Sequence, residues 1–531
     1  MKVFVHVEKN PESNAALQAL YSRSPKSVVE QVEKLSRNNF SGSFMERVFI
    51  GYGHESVGDL GYTTLYFEGV SFLAEKAIQD FELYVGQACS SRYIDFSKQH
   101  FVNPYSVSHI DDVADPPQKA KIDEIHALLR QFYTDSQDPL FEHLAKQFPN
   151  YAPDDANGTA VWSKTIKARV FDVLRGFLPA GATTNVSWTV NLRNANQRLI
   201  LLSHHPLEEV RIMARKAYIA LYEEYPHSFK EEYYNLFLEQ QRAKNSAEVI
   251  LGAMNHAAYE GAELFKAMSN IQQFYDAPAS IDPASLYLSD ASEGYFGVLN
   301  LDSVWLDPNE GNRIKRAPLP KHKYIWRHRI EIDFDIDWGS FRDIQRHRNG
   351  YCSMPVLQTD YGFEKWYYDM LPPELQKAAT ELLDKIEDLY NEALYEGLDV
   401  DGKSCLELPE EDPRTQLIRN RVYNLQYALP MATIVSVTLD YSLREAVYVA
   451  ELRSGKTVHP TLRVVAQEMA KRLTAVGIQV YADMEGDGWS LKRGTQDIQI
   501  VEGAENVADD EEDELSKVEA VHPEGWVILA K

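Results

Sequence analysis

An internal repetition constrains this fold more than any other feature. "RGFLPAGATTNVSWTVNLR", residues 175–193, and "QYALPMATIVSVTLDYSLR", residues 426–444, align without a gap. Each carries Leu-Pro, a β-like run and a closing Leu-Arg, and after each a His-Pro opens a helix, at His205 and at His459. Self-similarity on this scale means one supersecondary unit used twice. Strands are expected at 2–7 ("KVFVHV"), 62–70 ("YTTLYFEGV"), 329–337 ("RIEIDFDID") and 431–441 ("MATIVSVTLDY"). Alternation in 329–337 puts Ile330, Ile332, Phe334 and Ile336 on a core face and Glu331, Asp333, Asp335 and Asp337 on a solvated one. Apolar spacing is helical through most of 120–268, and in "PPELQKAATELLDKIEDLYNEALYEG" and "PTLRVVAQEMAKRLTAVG". Residues 275–323 are rich in Pro, Asp, Ser and Gly and read as a connector, and "ADDEEDELS" reads as a solvated acidic stretch. The expected domains are 1–270, a connector at 271–323, a second domain at 324–485 and an acidic tail at 486–531.

A net charge of −25 argues against a surface that coats nucleic acid or an anionic membrane. No apolar run is long enough to span a bilayer, and the start lacks a basic segment followed by an apolar core, so neither a membrane nor a secretory signal is expected. Three cysteines, Cys89, Cys352 and Cys405, are too few for a disulfide framework, and a reducing cytoplasm is the expected location. Cys89 and Cys352 lack a neighbouring base or helix start and read as small buried residues rather than nucleophiles. His204 and His205 have no cysteine or carboxylate at zinc-ligand spacing, and no metal is expected.

Two further stretches complement each other. "RDIQRHRNGYCSMPVLQTDYG", 342–362, holds Arg346, His347 and Arg348, and seven residues later Val356 to Thr359. "AEKAIQDFELYVGQACSSRYIDF", 74–96, holds Asp80, Phe81 and Glu82, and seven residues later Ser90, Arg92 and Tyr93. Arginine's planar fork suits a nucleotide phosphate, and an arginine opposite a carbonyl stabilises charge that develops on a ring under attack. Helical arginines paired with carboxylates are the plainer reading. Arg327-His328-Arg329, the same tripeptide within a period-two run, reads as a solvated strand face.

With these residues in view, the halves resemble tandem, divergent copies of the flavin-dependent thymidylate synthase fold. That family's signature is Arg-His-Arg, seven residues, then Ser-x-Arg-Tyr, preceded by Gly-His-x-Ser/Thr-x-x-Glu and followed by Leu-Pro and Asn-x-Arg. The first half matches at Gly53, His54, Ser56, Asp59 (for Glu), Ser90, Arg92, Tyr93, Arg175, Pro179, Asn191 and Arg193. The second matches at Arg346, His347, Arg348, Arg444 and Leu452-Arg453, with Gln426 and Ser442 where the first has Arg175 and Asn191. Neither half carries the whole signature, and the acidic residue that the family places two before the serine is Ala88 or Met354 here.

The resemblance implies an α+β fold class, with each domain a twisted, mainly antiparallel sheet with helices. It implies FAD as cofactor, methylation of dUMP to dTMP, and methylenetetrahydrofolate and NADPH as cosubstrates. It also implies composite sites, with a homodimer standing in for the family's tetramer. Carried over residue by residue, Arg346, Arg348 and Arg453 become catalytic. Ser90, Arg92, Arg175 and Arg453 bind nucleotide. His54, Ser56, Asp59, Asn191, Arg193, Gln197, Arg346, His347 and Arg348 hold flavin. Asp80 and Glu82 would disable a redundant site. A flavin enzyme acting on another pyrimidine nucleotide, and a non-catalytic nucleotide-binding descendant, remain as alternatives.

Overall fold

The computed structural model describes residues 1–6, 11–22, 32, 40–51, 54–107, 117–242, 285–288, 329–352, 356–359, 361–397, 413–475, 478–495 and 528–530. Gly53, Met354, Cys405, Arg327-His328, most of the connector and the "ADDEEDELS" stretch lie outside them. The architecture is α+β, with two antiparallel four-stranded sheets. The strands are β1 (Lys2–His6), β2 (Tyr62–Ser71), β3 (Thr183–Asn191), β4 (Ser285–Leu288), β5 (Arg329–Asp337), β6 (Gly350–Cys352), β7 (Ile434–Ser442) and β8 (Ile528–Ala530). One sheet runs β3-β2-β1-β8 and the other β4-β5-β7-β6. Two expected boundaries are corrected by this topology. The connector contains β4, which pairs with β5, and the tail contains β8, which pairs with β1.

The helices needed below are α1 (Phe72–Gln79), α2 (Ala156–Leu174), α3 (Leu192–Leu202), α4 (Trp338–Ile344), α5 (Leu443–Arg453) and α6 (Pro460–Ala475). Four of them follow a strand directly, and each is opened the same way. The side chains of Ser71, Asn191, Asp337 and Ser442 accept the backbone N–H of Ala74, Asn194, Ser340 and Glu445. A side-chain oxygen at this position satisfies one of the orphan donors of the first turn. This corrects the expectation for Asp337. It closes the alternating strand, but it is fully buried, because its carboxylate caps α4 and accepts from the Tyr367 hydroxyl (2.7 Å). Ile330, Ile332, Phe334 and Ile336 do face the core.

The halves meet along their Leu-Pro segments, through hydrogen bonds that occur in matched pairs. Ala180 N–H donates to Leu429 O (2.8 Å), and Met431 N–H, its aligned counterpart, donates to Leu178 O (2.8 Å). Gly181 N–H reaches Tyr427 O and Ala432 N–H reaches Gly176 O, both at 2.9 Å. The same pairing continues outward, in Phe72 N–H to Ala182 O against Trp338 N–H to Thr433 O, and in Thr183 N–H to His100 O against Ile434 N–H to Gly362 O. Gly176 has to be glycine here, since a Cβ would sit inside the Tyr367 ring. The apolar core is continuous through this junction, where Phe132 packs on Phe177 and Phe177 on Phe363, with ring centroids 4.5 and 5.1 Å apart.

Beside the junction α1 and α4 share a buried charged network. Glu75 pairs with Arg342, whose guanidinium lies 3.9 Å over the Phe72 ring. Lys76 donates to Gln79 and to Arg342 O (3.1 Å). Removing one partner of a buried pair strands the other charge, typically at 3–5 kcal/mol. Glu75→Ala is therefore expected to lower the unfolding free energy by about 3–5 kcal/mol, measured by urea denaturation. Burial also pulls the Lys76 ammonium down to about 7. The unfolded lysine keeps its proton to about pH 10, so between these values the unfolded state binds more protons and stability rises with pH. The stability difference between wild type and Lys76→Met should therefore move in favour of wild type from pH 7 to 9, by at most about 1.4 kcal/mol per pH unit. A difference that stays flat over that window would contradict the assignment.

Candidate functional site

Immediately beyond the junction, arginines from both halves gather around two carboxylates. Arg175 follows α2 in a short 3-10 turn, and Asp343 lies in the last turn of α4. Arg346 approaches Asp343 at 3.9 Å and Arg175 at 3.9 Å, while Arg453, the last residue of α5, donates to Asp343 O (2.8 Å). Burial pushes the Asp343 carboxyl up, but Arg346, Arg453, Arg175 and Arg92 together hold it well below the usual carboxylate range. The Asp343 carboxylate thus lies between one second-half and one first-half arginine, Arg346 and Arg175, with Arg453 on its backbone carbonyl.

Asp172, near the end of α2, is the other carboxylate. Arg92 binds it with two donors, Nε at 2.7 Å and a terminal nitrogen at 3.2 Å. Arg493 binds it as well, at the Oδ2 that the Arg92 terminal nitrogen also reaches. Burial raises the Asp172 carboxyl, and Arg493 and Arg92 outweigh this and hold it well below its ordinary value. The Arg92 stretch reaches this place by running beside β3, where Val85 and Ala88 bridge Thr189 and Val186. It then turns, with Tyr93 N–H on Ser90 O and Arg92 N–H on the Ser90 hydroxyl.

The structure therefore brings Ser90, Arg92, Arg175, Arg346 and Arg453 to one region within a single chain. Their settings differ. Arg346 is 42% exposed and Arg92 12%. Arg175 is 2% exposed, donates to Ser340 Oγ (3.1 Å) and lies near Asp337, so it is set deeper than Arg92 and Arg346. His347 is set back as well. It is buried, accepts at Nε2 from Arg453 Nε (2.9 Å) and faces Glu445 with Nδ1 (3.5 Å), so the ring is neutral and its proton is on Nδ1. Burial, the dominant influence, likewise disfavours its charged form. Arg348 lies 4.8 Å over the Tyr84 ring. One terminal nitrogen of Arg348 and the Nε atoms of Arg175, Arg342 and Arg493 are buried without a hydrogen-bond partner. Buried donors of this kind call for an acceptor, and a cationic cluster with spare donors suits an anionic ligand.

The other expected flavin residues form a second group around a 3-10 turn, Glu55–Leu60. His54 and Ser56 are exposed, Asp59 pairs with Arg193 (2.7 Å), Gln197 donates to Glu55 (3.1 Å) and Asn191 caps α3. Arg198 of α3 connects this group to the first, donating to the carbonyls of Ala77 and Asp80, while the Asp80 carboxylate accepts from Gln345 (3.1 Å). Asp80 thus faces the 345–348 stretch across the junction. Two cationic triplets in these positions would repel, which accounts physically for the reversed sign.

Sequence reasoning missed Asp172, Asp343 and Arg493. Asp343 had a signal, since it stands three residues before Arg346, on the same helical face. Asp172 lies in an unbroken helical pattern that marks nothing. Arg493 fell in the stretch read as a solvated tail, yet Leu491–Thr495 forms a turn packed on α2, and Trp489 stacks on Phe148 with centroids 4.1 Å apart.

Residues 3–227 match the family model described as thymidylate synthase complementing protein. Three curated relatives are UPF0159 proteins. The one from Chlamydia pneumoniae is 24% identical over 82% of this chain and 78% of its own length. That from Chlamydia muridarum is 25% identical over the same shares. That from Thermoplasma acidophilum is 22% identical over 86% of this chain and 92% of its own length. Among solved structures, a thymidylate synthase X from Helicobacter pylori with FAD and dUMP is similar at 16% identity, covering 44% of this chain and 99% of that one, with a TM-score of 0.25. The family match spans β1 to β3, the helices between and after them, and both the Gly53–Asp59 and Ser90–Tyr93 stretches, so it is the first half of this chain that is similar to the thymidylate synthase complementing protein family.

Proposed function

We propose that this chain is a flavin-dependent thymidylate synthase-like enzyme built from two divergent tandem copies of one unit, which methylates dUMP to dTMP with methylenetetrahydrofolate as carbon donor and NADPH as reductant. One observation carries the reading. Arg92 of the first half and Arg346 and Arg453 of the second gather around Asp172 and Asp343, in a chain of net charge −25, next to Arg175 and Arg348, each of which has one buried guanidinium nitrogen without a hydrogen-bond partner. The complementary losses in the two halves fit such a division of labour. The matched hydrogen bonds at the junction support the tandem reading.

Ser90, Arg92 and Arg453 would bind the nucleotide anion, with Arg175 supporting them through Asp343. Arg346 and Arg348 would stabilise negative charge on the pyrimidine ring. FAD, when bound, supplies the redox chemistry, and the protein supplies orientation and electrostatics. The residues that fit it are exposed His54 and Ser56 and the partly open Arg346 and Arg348, whose spare donor lies beside Tyr84. Asp59, Asn191, Arg193, Gln197 and His347 would act one step back, through the pairs described above. The proposed location is the cytoplasm and the proposed assembly a homodimer of four fold units. The halves of one chain already meet at the cluster, so a single chain can form the site.

A second reading has its own observation in favour. Arg92 is held by both oxygens of Asp172, which suits a descendant that kept the nucleotide fold and lost turnover.

The purified protein is expected to absorb at flavin wavelengths or to show a thermal shift with added FAD. A ligand binding only the folded state adds about 2.7 kcal/mol at a hundredfold excess over Kd. Colourless protein with no shift would sink both flavin readings. Calorimetric titration with dUMP should give one site per chain, and Arg453→Ala should weaken binding by about 1.5–3 kcal/mol, the range for hydrogen bonds to a charged group. Two sites per chain would mean that both copies are competent. Product formation from dUMP separates an active enzyme from a binding descendant.

A further inference from the structure

Residues 478–495 leave the second half and cross onto the first. On the near side Tyr481 N–H donates to Glu451 (2.9 Å), Asp483 N–H to the Ser454 hydroxyl (2.9 Å), and the buried Arg463 to the carbonyls of Ser454, Glu485 and Gly486. On the far side Trp489 stacks on Phe148, and the Gly494 backbone lies so close to Val161 O and the Thr165 hydroxyl on α2 that a Cβ has no room. Between these anchors Arg493 is inserted at 5% exposure. It pairs with Asp172, donates to Arg92 O (3.4 Å) and lies 5.1 Å over the Tyr93 ring.

We propose that Arg493 is a positioning residue for the nucleotide site, and that residues 478–495 are the strap which completes that site. The proposal rests on the reading of Arg92 as a nucleotide-binding residue. Arg493 touches the carboxylate partner of Arg92, the Arg92 carbonyl and the ring of the next residue, Tyr93. A carboxylate held by a second guanidinium at Oδ2 has fewer orientations open to it, and the Arg92 guanidinium bound to both its oxygens inherits that restriction. Three segments distant in sequence thereby fix one side chain: the 90–93 turn, the end of α2 and the strap.

The test uses the full chain and the variant Arg493→Met. Phenylglyoxal modifies accessible arginines, and peptide mass spectrometry reads the rate at each site. Arg92 is expected to react slowly in wild type and roughly fivefold or more faster in the variant, as local opening increases, while exposed Arg346 reacts equally in both. The dUMP Kd is expected to rise about tenfold in Arg493→Met, and to show no further rise when Arg493→Met is added to Arg92→Ala, since residues acting as one unit are non-additive. Unchanged Arg92 reactivity overturns the proposal, as does a full additive loss in the double variant. Wild type that binds no dUMP overturns the proposed function instead, and Arg92 reactivity still decides the role of Arg493. If Arg493→Met does not fold, Arg493→Lys keeps the charge opposite Asp172 and loses the second donor. It should give an intermediate Arg92 rate, and a wild-type rate overturns the proposal.

Discussion

Leu178 and Leu429 each give a backbone carbonyl to the other half, and the short antiparallel bridge that results governs the rest of the structure. Backbone groups buried at such a junction need partners, and here each half supplies what the other lacks. This bridge joins the segments that lead into β3 and β7, and beside it α1 lies next to α4. It also brings Arg175 close to Asp337 and Asp343, residues far away in the chain. The charged cluster follows from a backbone arrangement that involves no charge.

That placement creates an electrostatic problem which the sequence resolves by breaking its own repetition. In a two-copy arrangement, aligned positions face one another or lie side by side. Lys76 and Arg342 are aligned, yet the lysine is tied to the other's carbonyl, and Glu75 neutralises the arginine. Asp80 is aligned with Arg346 and receives Gln345. Identical copies would place cation against cation in a setting where water screens poorly. Charge complementarity between the halves is thus a requirement of packing as well as a trace of lost function.

Period-two and period-3.6 patterns were enough to locate β2, β5, β7 and the helices after the two His-Pro pairs, because those segments bury one face each. Asp337 shows where the pattern fails. The last residue of an alternating strand can belong to the next element, and its side chain then obeys capping geometry instead of the strand's faces. The exchange of Asn191 for Ser442 is the same point seen from the other side, since both residues keep the cap whatever else they do. Motif spacing marked Arg92, Arg346 and Arg453 as candidates. Their shared carboxylates were missed, because a single aspartate in a helix carries no mark of what lies across a junction. Arg493 was hidden by composition, since its neighbourhood reads as tail until Trp489 and Gly494 are seen to dock.

Strand β8 lies against β1, the first strand of the chain. During synthesis, β1 and β2 leave the ribosome early, and the outer edge of β1 has no strand to meet until residues 528–530 follow. An open edge is a template for wrong pairing, and large chains are most exposed to it while incomplete. The first sheet must therefore tolerate a long wait, or be shielded by a chaperone, until residues 528–530 arrive to cover that edge.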